Sequence, residues 1–192
     1  MLIESILMAS TIAVSGMIMV VTDWKWRMAC LALFQLIAFL LVVQIWPVAL
    51  AAVKLIAGWI GLTIISAALV RTEQDAEAPP NMPFRLYKLA MIGLTWIAIL
   101  VLVPRLNVWL PINFSNLFSG LIFFLCGLLF LSIHEEIIET IIGLLIFLAG
   151  FDVIYSSLEG SALVTGVYAL ILISISILGS YLQGGLSSGG DE

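Results

Sequence analysis

Residues 46–70, WPVALAAVKLIAGWIGLTIISAALV, form an apolar run that carries one charge, Lys54. A helix needs about 20 predominantly apolar residues to cross a bilayer, so this run is long enough to span one. A charge at membrane depth costs about 2.5–3.5 kcal/mol on insertion scales, and such residues are rare unless they are paired or functional. Lys54 is therefore the first candidate functional residue.

The composition is that of an integral membrane protein. Of the 192 residues, 63% are hydrophobic and 10% are charged, and the mean hydropathy is +1.24. Soluble proteins average roughly 45–50% apolar and about 25% charged residues. Seven Lys and Arg residues cannot form the basic stripe that nucleic-acid binding requires, so we expect no nucleic-acid partner. The expected surroundings are a lipid bilayer and other membrane subunits.

The apolar runs predict an all-α protein with seven transmembrane helices. Trp, Tyr, Pro and charged clusters mark the ends of the runs. The predicted spans are residues 3–22, 28–45, 48–70, 86–103, 114–132, 136–155 and 161–182. Loop cations favour one side of the membrane, which places the N-terminus outside and the C-terminus in the cytoplasm. We expect the chain to lie in the inner (cytoplasmic) membrane. The cations on the cytoplasmic side are Lys25, Arg27, Arg71, Arg85 and Lys88, against Arg105 outside.

The spans group into two units of three helices. Helices 1–3 and 5–7 share a similar layout and start four helices apart, so they would be parallel repeats. The predicted divisions are a first three-helix membrane unit at 1–70, a polar, proline-containing cytoplasmic loop at 71–85, a linking helix and outer loop at 86–113, a second three-helix unit at 114–183, and a flexible acidic tail at 184–192.

Asp152 is the natural counter-charge for Lys54. It lies near the outer end of the sixth helix, at a depth comparable with that of Lys54 in the third. Pairing would offset much of the cost of burying both charges, so we predict a contact between them. Three roles remain open for Lys54: a snorkelling or paired structural lysine, a group that moves protons or ions, and a contact between subunits.

Four glycines are candidates for close helix packing, because small residues let neighbouring helices approach. Gly58 and Gly61 follow Lys54 by four and seven residues, on the same helix face. Lys54 should therefore face protein rather than lipid. In the sixth helix the candidates are Gly143 and Gly150.

The segment before the sixth helix has the pattern of a helix start. Ser132 followed by Glu135 has the spacing of a capping box, and Glu135, Glu136 and Glu139 would form a cytoplasmic acidic cap where the helix dipole favours anions. His134 has no second histidine four residues on, as a zincin would require, so we expect no metal site. A lone histidine also argues against haem. With no recognisable catalytic motif, we expect neither a cofactor nor enzymatic activity.

The run GLLFLSIHEEIIETIIGLLIFLAG, residues 127–150, resembles the first two helices of subunit K of complex I. The C-type subunit of Mrp antiporters and hydrogenase-4 component E share this pattern. The resemblance makes residues 114–183 a subunit K-like unit, and the seven-helix layout is most similar to component E. It implies a membrane subunit of a redox-driven or antiporter-like complex.

The departures from that family matter for function. Its proton-moving members carry a membrane glutamate in the second helix and another in the third. Here Leu145 occupies the first position, and residues 161–182 contain no carboxylate. We therefore expect a non-catalytic, accessory subunit of an ion-translocating complex, in which Lys54 is an auxiliary charge. The alternatives are a free-standing transporter or channel that uses Lys54 and Asp152, and an assembly or scaffold subunit of a respiratory or photosynthetic complex.

Overall fold

The computed structural model describes residues 2–71, 82–134 and 136–188. The described residues form seven α-helices and contain no β-strand. The helices are Leu2–Val20 (α1), Trp24–Val43 (α2), Val48–Arg71 (α3), Met82–Trp109 (α4), Phe114–Ile133 (α5), Ile137–Leu158 (α6) and Ala162–Ser188 (α7).

The helices α2 to α7 are each long and apolar enough to cross a membrane. In α1 the apolar stretch Glu4–Val20 is shorter, at the low end of the roughly 17–25 residues that spans use. The chain is therefore a multi-pass helical membrane protein. The seventh span and the orientation in the membrane remain predictions.

Several helices extend beyond their predicted ends. The second begins at Trp24 rather than at residue 28, and α4 covers 82–109 rather than 86–103, with Pro104 inside it. The last helix continues to Ser188, past the predicted start of the flexible tail at Gly184. The hydropathy boundary marks where the hydrocarbon core ends, whereas the backbone can remain helical into the polar interface.

The predicted capping box at the start of α6 is wrong. Ser132 lies in the last turn of α5, which ends at Ile133. The residue that caps α6 is Glu136, and its side chain makes no capping hydrogen bond. The apolar run of α5 continues through Ser132, and backbone groups at membrane depth stay hydrogen-bonded within the helix. Glu135 lies outside the described residues.

Six of the helices form two rows of three. One row is α1, α2 and α3, and the other is α5, α6 and α7, with neighbours in contact within each row. Each helix also packs against its counterpart in the other row, as α1 on α5, α2 on α6 and α3 on α7. The array thus contains two rings of four helices that share α2 and α6. The remaining helix, α4, packs on α5 and α1 at one side.

The two rows run in parallel register. Three of the hydrogen bonds between them, those that join counterpart helices or the residues next to them, connect residues that are 109, 111 and 110 positions apart in the sequence. A nearly constant separation is what two parallel units of similar layout produce when they pack face to face. The repeat itself remains a prediction. The three bonds run from Asn113 Nδ2 to Glu4 Oε1, from Cys126 Sγ to Ser15 O and from Trp46 Nε1 to Ser156 O.

The predicted packing glycines lie at helix contacts. Gly150 and Gly143 of α6 face α5. A Cβ on Gly150 would overlap the backbone of Phe124, and a Cβ on Gly143 would press against Leu131. On α3, Gly58 lies against the Gln35 side chain of α2. The fourth, Gly61, faces Ser176 and the backbone of Leu172 on α7. At all four positions the neighbouring side chains or backbone lie so close that a larger side chain would push the helices apart.

Candidate functional site: two buried charge clusters

The Lys54 site lies in the ring formed by α2, α3, α6 and α7. Lys54 is the seventh residue of α3, about 9 Å along the helix from its first residue. Asp152 lies about the same distance from the last residue of α6. Both residues are 5% exposed. The two charges are therefore buried at matching depths, near the same end of the bundle.

The structure brings Lys54 and Asp152 into direct contact. Lys54 Nζ donates hydrogen bonds to Asp152 Oδ1 at 2.6 Å and to Ser156 Oγ at 2.7 Å. Ser156 follows Asp152 by one helical turn, so both acceptors lie on the same face of α6. Its hydroxyl in turn donates to Asp152 Oδ1 at 3.4 Å. The lysine charge is neutralised by a carboxylate of the same chain.

Two aromatic rings complete the surroundings of the ammonium group. Lys54 Nζ lies 4.4 Å from the centroid of the Trp46 ring and 5.6 Å from that of Tyr168. Both rings are within the range in which a cation is attracted to an aromatic face. Trp46 Nε1 donates to Ser156 O at 2.8 Å, which fixes the indole against α6. The site thus takes residues from α3, α6 and α7 and from the segment after α2.

The Lys54 side chain bridges helices that are not near neighbours in the array. The helix α3 packs on α2 and α7, whereas α6 packs on α5, α2 and α7. Lys54 therefore reaches across the centre of the ring to Asp152. A Lys to Asp ion pair of this kind can hold the four helices together, and it can also exchange a proton if the pair separates.

A second cluster, the Arg27 site, lies at the other end of α2 and α6. Its members are Arg27 in the first turn of α2, Lys88 on α4, His134 after α5 and Glu139 in the first turn of α6. Arg27 Nη1 forms an ion pair with Glu139 Oε1, and Arg27 Nε donates to Val21 O at 2.8 Å. Arg27, Lys88 and Glu139 are each at most 7% exposed. Four helices therefore meet at a buried group of charges.

The hydrogen bonds of His134 define its protonation. Lys88 Nζ lies 2.9 Å from His134 Nε2, and His134 Nδ1 lies 3.1 Å from Phe130 O. A lysine ammonium can only donate, so Nε2 accepts and the proton sits on Nδ1. Burial, together with the positive charges of Lys88 and Arg27, lowers the pKa of His134 to about 4. The 3.4 Å approach of Glu139 Oε2 to Nε2 is therefore a contact between two acceptors at neutral pH.

The sequence predicts a location for each of these four residues, but it does not predict that they contact one another. It assigns Arg27 to a loop, Lys88 to the start of the fourth predicted span, and Glu139 to an acidic cap at the start of the sixth. The structure keeps Glu139 in the first turn of α6 but buries it against Arg27, whereas Glu136 is exposed. One signal could have found the cluster. Four titratable residues lie near the ends of helices that the predicted topology brings to the same side of the membrane.

Among the described residues no three His, Cys, Asp or Glu side chains are grouped so that they could hold a metal ion. The Arg27 site contains two cations and the Lys54 site one, which leaves no surplus of carboxylates to attract a divalent ion.

No family model, no curated protein and no solved structure matches the sequence. The resemblance to the complex I, Mrp and hydrogenase-4 subunits therefore rests on residues 127–150 and the helix layout.

Proposed function

We propose that this protein is a non-catalytic membrane subunit of a multisubunit redox-driven or antiporter-like ion-translocating complex in the cytoplasmic membrane. The observation that carries the proposal is the complete set of contacts around the Lys54 ammonium group. Its charge is met by Asp152, Ser156 and two aromatic rings of the same chain. A lysine held in this way supports helix packing, and it needs no substrate or partner to balance it.

The region between the two clusters also favours a subunit over a complete proton path. Glu139 and Asp152 are separated by 13 residues of α6, about 20 Å. The buried α6 side chains between them are apolar, and Leu145 among them is 2% exposed. In the family that residues 127–150 resemble, this position carries a membrane glutamate. A proton moving between the clusters would find no titratable α6 group along the way.

The outer helices offer broad apolar surfaces to neighbouring subunits. Only 22% of the α4 span and 28% of the α7 span are buried within the chain, against 61% for α5 and α6. Lipid tails cover such faces in an isolated protein, and helices of partner subunits can replace them in a complex. The resemblance to subunit K and to hydrogenase-4 component E points to antiporter-like subunits as those partners.

Isolation from the native membrane in a mild detergent tests this proposal. The expected result is co-purification with large antiporter-like membrane subunits at a fixed ratio. The matched variant is Lys54→Met, which keeps the side-chain length but removes the charge. It should reduce the yield of the complex. A single monodisperse chain, recovered without partners under conditions that preserve other membrane complexes, would contradict the proposal.

A free-standing transporter or channel is the second candidate. The observation in its favour is a small cavity beside the Lys54–Asp152 pair, whose polar lining residues also include Gln35 and Tyr168. The purified chain in liposomes should then carry a cation or proton flux by itself. In that case Lys54→Met should abolish the flux while the protein remains folded. An assembly or scaffold subunit would show neither flux nor a place in the finished complex.

A further inference from the structure

The Lys54 site borders a small cavity whose lining combines four polar and five apolar side chains. The cavity lies where α2, α3, α6 and α7 meet, and its polar lining residues are Gln35, Lys54, Asp152 and Tyr168. Each of the four is at most 6% exposed. It admits the centre of a water-sized sphere over about 10 Å³, close to the roughly 10–15 Å³ that one buried water molecule requires.

Three of these residues have unused hydrogen-bonding groups. Asp152 accepts the bonds of Lys54 and Ser156 through Oδ1 alone, and no described residue donates to Oδ2. Within the described part of the chain, the amide of Gln35 and the hydroxyl of Tyr168 also make no hydrogen bond. A polar group that lies among packed helices without a hydrogen-bond partner is destabilised. These three side chains border one cavity, in which a polar molecule can complete their hydrogen bonds.

We propose that this cavity binds a single water molecule that joins Gln35 on α2 and Tyr168 on α7 to Asp152 on α6. The water donates to Asp152 Oδ2 and exchanges hydrogen bonds with the Gln35 amide and the Tyr168 hydroxyl. Buried waters usually make about three such bonds. Water fits better than a metal cation, because the ammonium group of Lys54 already neutralises Asp152 and would repel a second positive charge at this distance.

The position of Gln35 depends on a small residue of the facing helix. A Cβ on Gly58 would overlap the Gln35 amide, so the glycine leaves the room in which the amide approaches the cavity. This gives Gly58 a role beyond helix packing. Lys54 and Gly58 are four residues apart on α3, and together they place one charged group and one polar side chain at the same water.

The bound water changes the character of the ion pair. A Lys to Asp pair sealed by apolar groups exchanges protons slowly, whereas a water on Asp152 Oδ2 supplies a donor and acceptor next to the carboxylate. The inference does not depend on the proposed subunit role, because a hydrated pair serves a structural lysine and a transport site equally well.

A structure of the detergent-solubilised protein, determined at a resolution that shows ordered waters, tests the site directly. The expected result is a density peak about 2.7–3.2 Å from Asp152 Oδ2 and from the Gln35 amide. A cavity without density would overturn the proposal. Anomalous signal at the peak after soaking in rubidium or thallium would also overturn it, because the occupant would then be a monovalent cation.

A second test uses two glutamines as a matched pair, Gln35 within α2 and Gln44 at the C-terminal end of that helix. Gln35→Leu removes one partner of the water, and Gln44→Leu makes the same change at an exposed residue of the helix end. We expect Gln35→Leu to lower the apparent melting temperature and to remove the density peak, while Gln44→Leu changes neither. Equal melting temperatures for the two variants would refute a water held by Gln35. Xenon density in the wild-type cavity would refute it too, since dry apolar cavities bind xenon.

Discussion

Removing the carboxylate of Asp152 should destabilise the protein more than removing both charges of the pair. With 2.6 Å between Lys54 Nζ and Asp152 Oδ1 and an effective dielectric constant of about 20, the attraction is about 6 kcal/mol. Desolvation of both groups offsets much of this. Breaking a buried pair from one side usually costs about 3–5 kcal/mol, because the remaining charge stays buried without a partner.

A double-mutant cycle separates the pair from its parts. We expect Asp152→Asn and Lys54→Met each to lower the free energy of unfolding by about 3–5 kcal/mol. The double variant should cost clearly less than the sum, since two neutral side chains of similar size leave no buried charge. Lys54→Met should be the more harmful single change, because it leaves the Asp152 carboxylate with the Ser156 hydroxyl alone, whereas Asp152→Asn leaves the ammonium group in contact with Ser156 and two aromatic rings.

Equilibrium unfolding in mixed micelles, followed by tryptophan fluorescence and circular dichroism, measures the four free energies. The control is Glu136→Gln, which removes the exposed carboxylate at the N-cap of α6, outside both clusters. Additive single changes, with a coupling below about 0.5 kcal/mol, would refute the reasoning. So would a loss below about 1 kcal/mol for Asp152→Asn, since that is the range of exposed ion pairs.

Three further predictions concern packing and the Arg27 site. Gly150→Ala should lower the melting temperature, because the added Cβ overlaps the facing helix, while Gly93→Ala, with no atom within 4 Å of its Cβ, should leave it unchanged or raise it. Arg27→Met should cost about 3–5 kcal/mol, and adding Glu139→Gln should restore part of the loss in the same unfolding assay. Stability should fall as the pH drops from about 6.5 to about 4, because the unfolded chain binds a proton that buried His134 does not, and His134→Asn should flatten this part of the profile.

The pairing of Lys54 with Asp152 follows from the sequence because membrane burial leaves few options. Each charge needs a partner, and Asp152 is the carboxylate whose depth in another span matches that of Lys54. The aromatic walls are harder to foresee. The sequence places Trp46 at the membrane interface, but it is 6% exposed and bound to Ser156. Hydropathy gives the depth of a side chain and says little about the direction in which it points.

Hydropathy also fails to predict the Arg27 site. Hydropathy places the end of a span where polar residues begin, so it assigns Arg27 to a connecting segment, and it interprets Glu139, at the start of the sixth predicted span, as part of an acidic cap. Both are in fact buried inside the first turns of their helices. In helical form their side chains point to defined neighbours, whereas loop residues would be solvated. The prediction of helix ends therefore decides whether a charge is interpreted as a topological signal or as part of a site.

The two clusters together explain how α2 and α6 keep a single register. Between helices in lipid the hydrophobic effect gives little preference, so packing and polar contacts must fix their alignment. The ion pair of Arg27 with Glu139 joins the two helices near their first turns. The hydrogen bond of Trp46 with Ser156 joins them near their far ends. Because the two links are separated by similar lengths of α2 and α6, sliding one helix by a turn would break both at once. The shared central pair of the array is thus fixed at both ends, and the Lys54 site is built on the end where α3 and α7 join it.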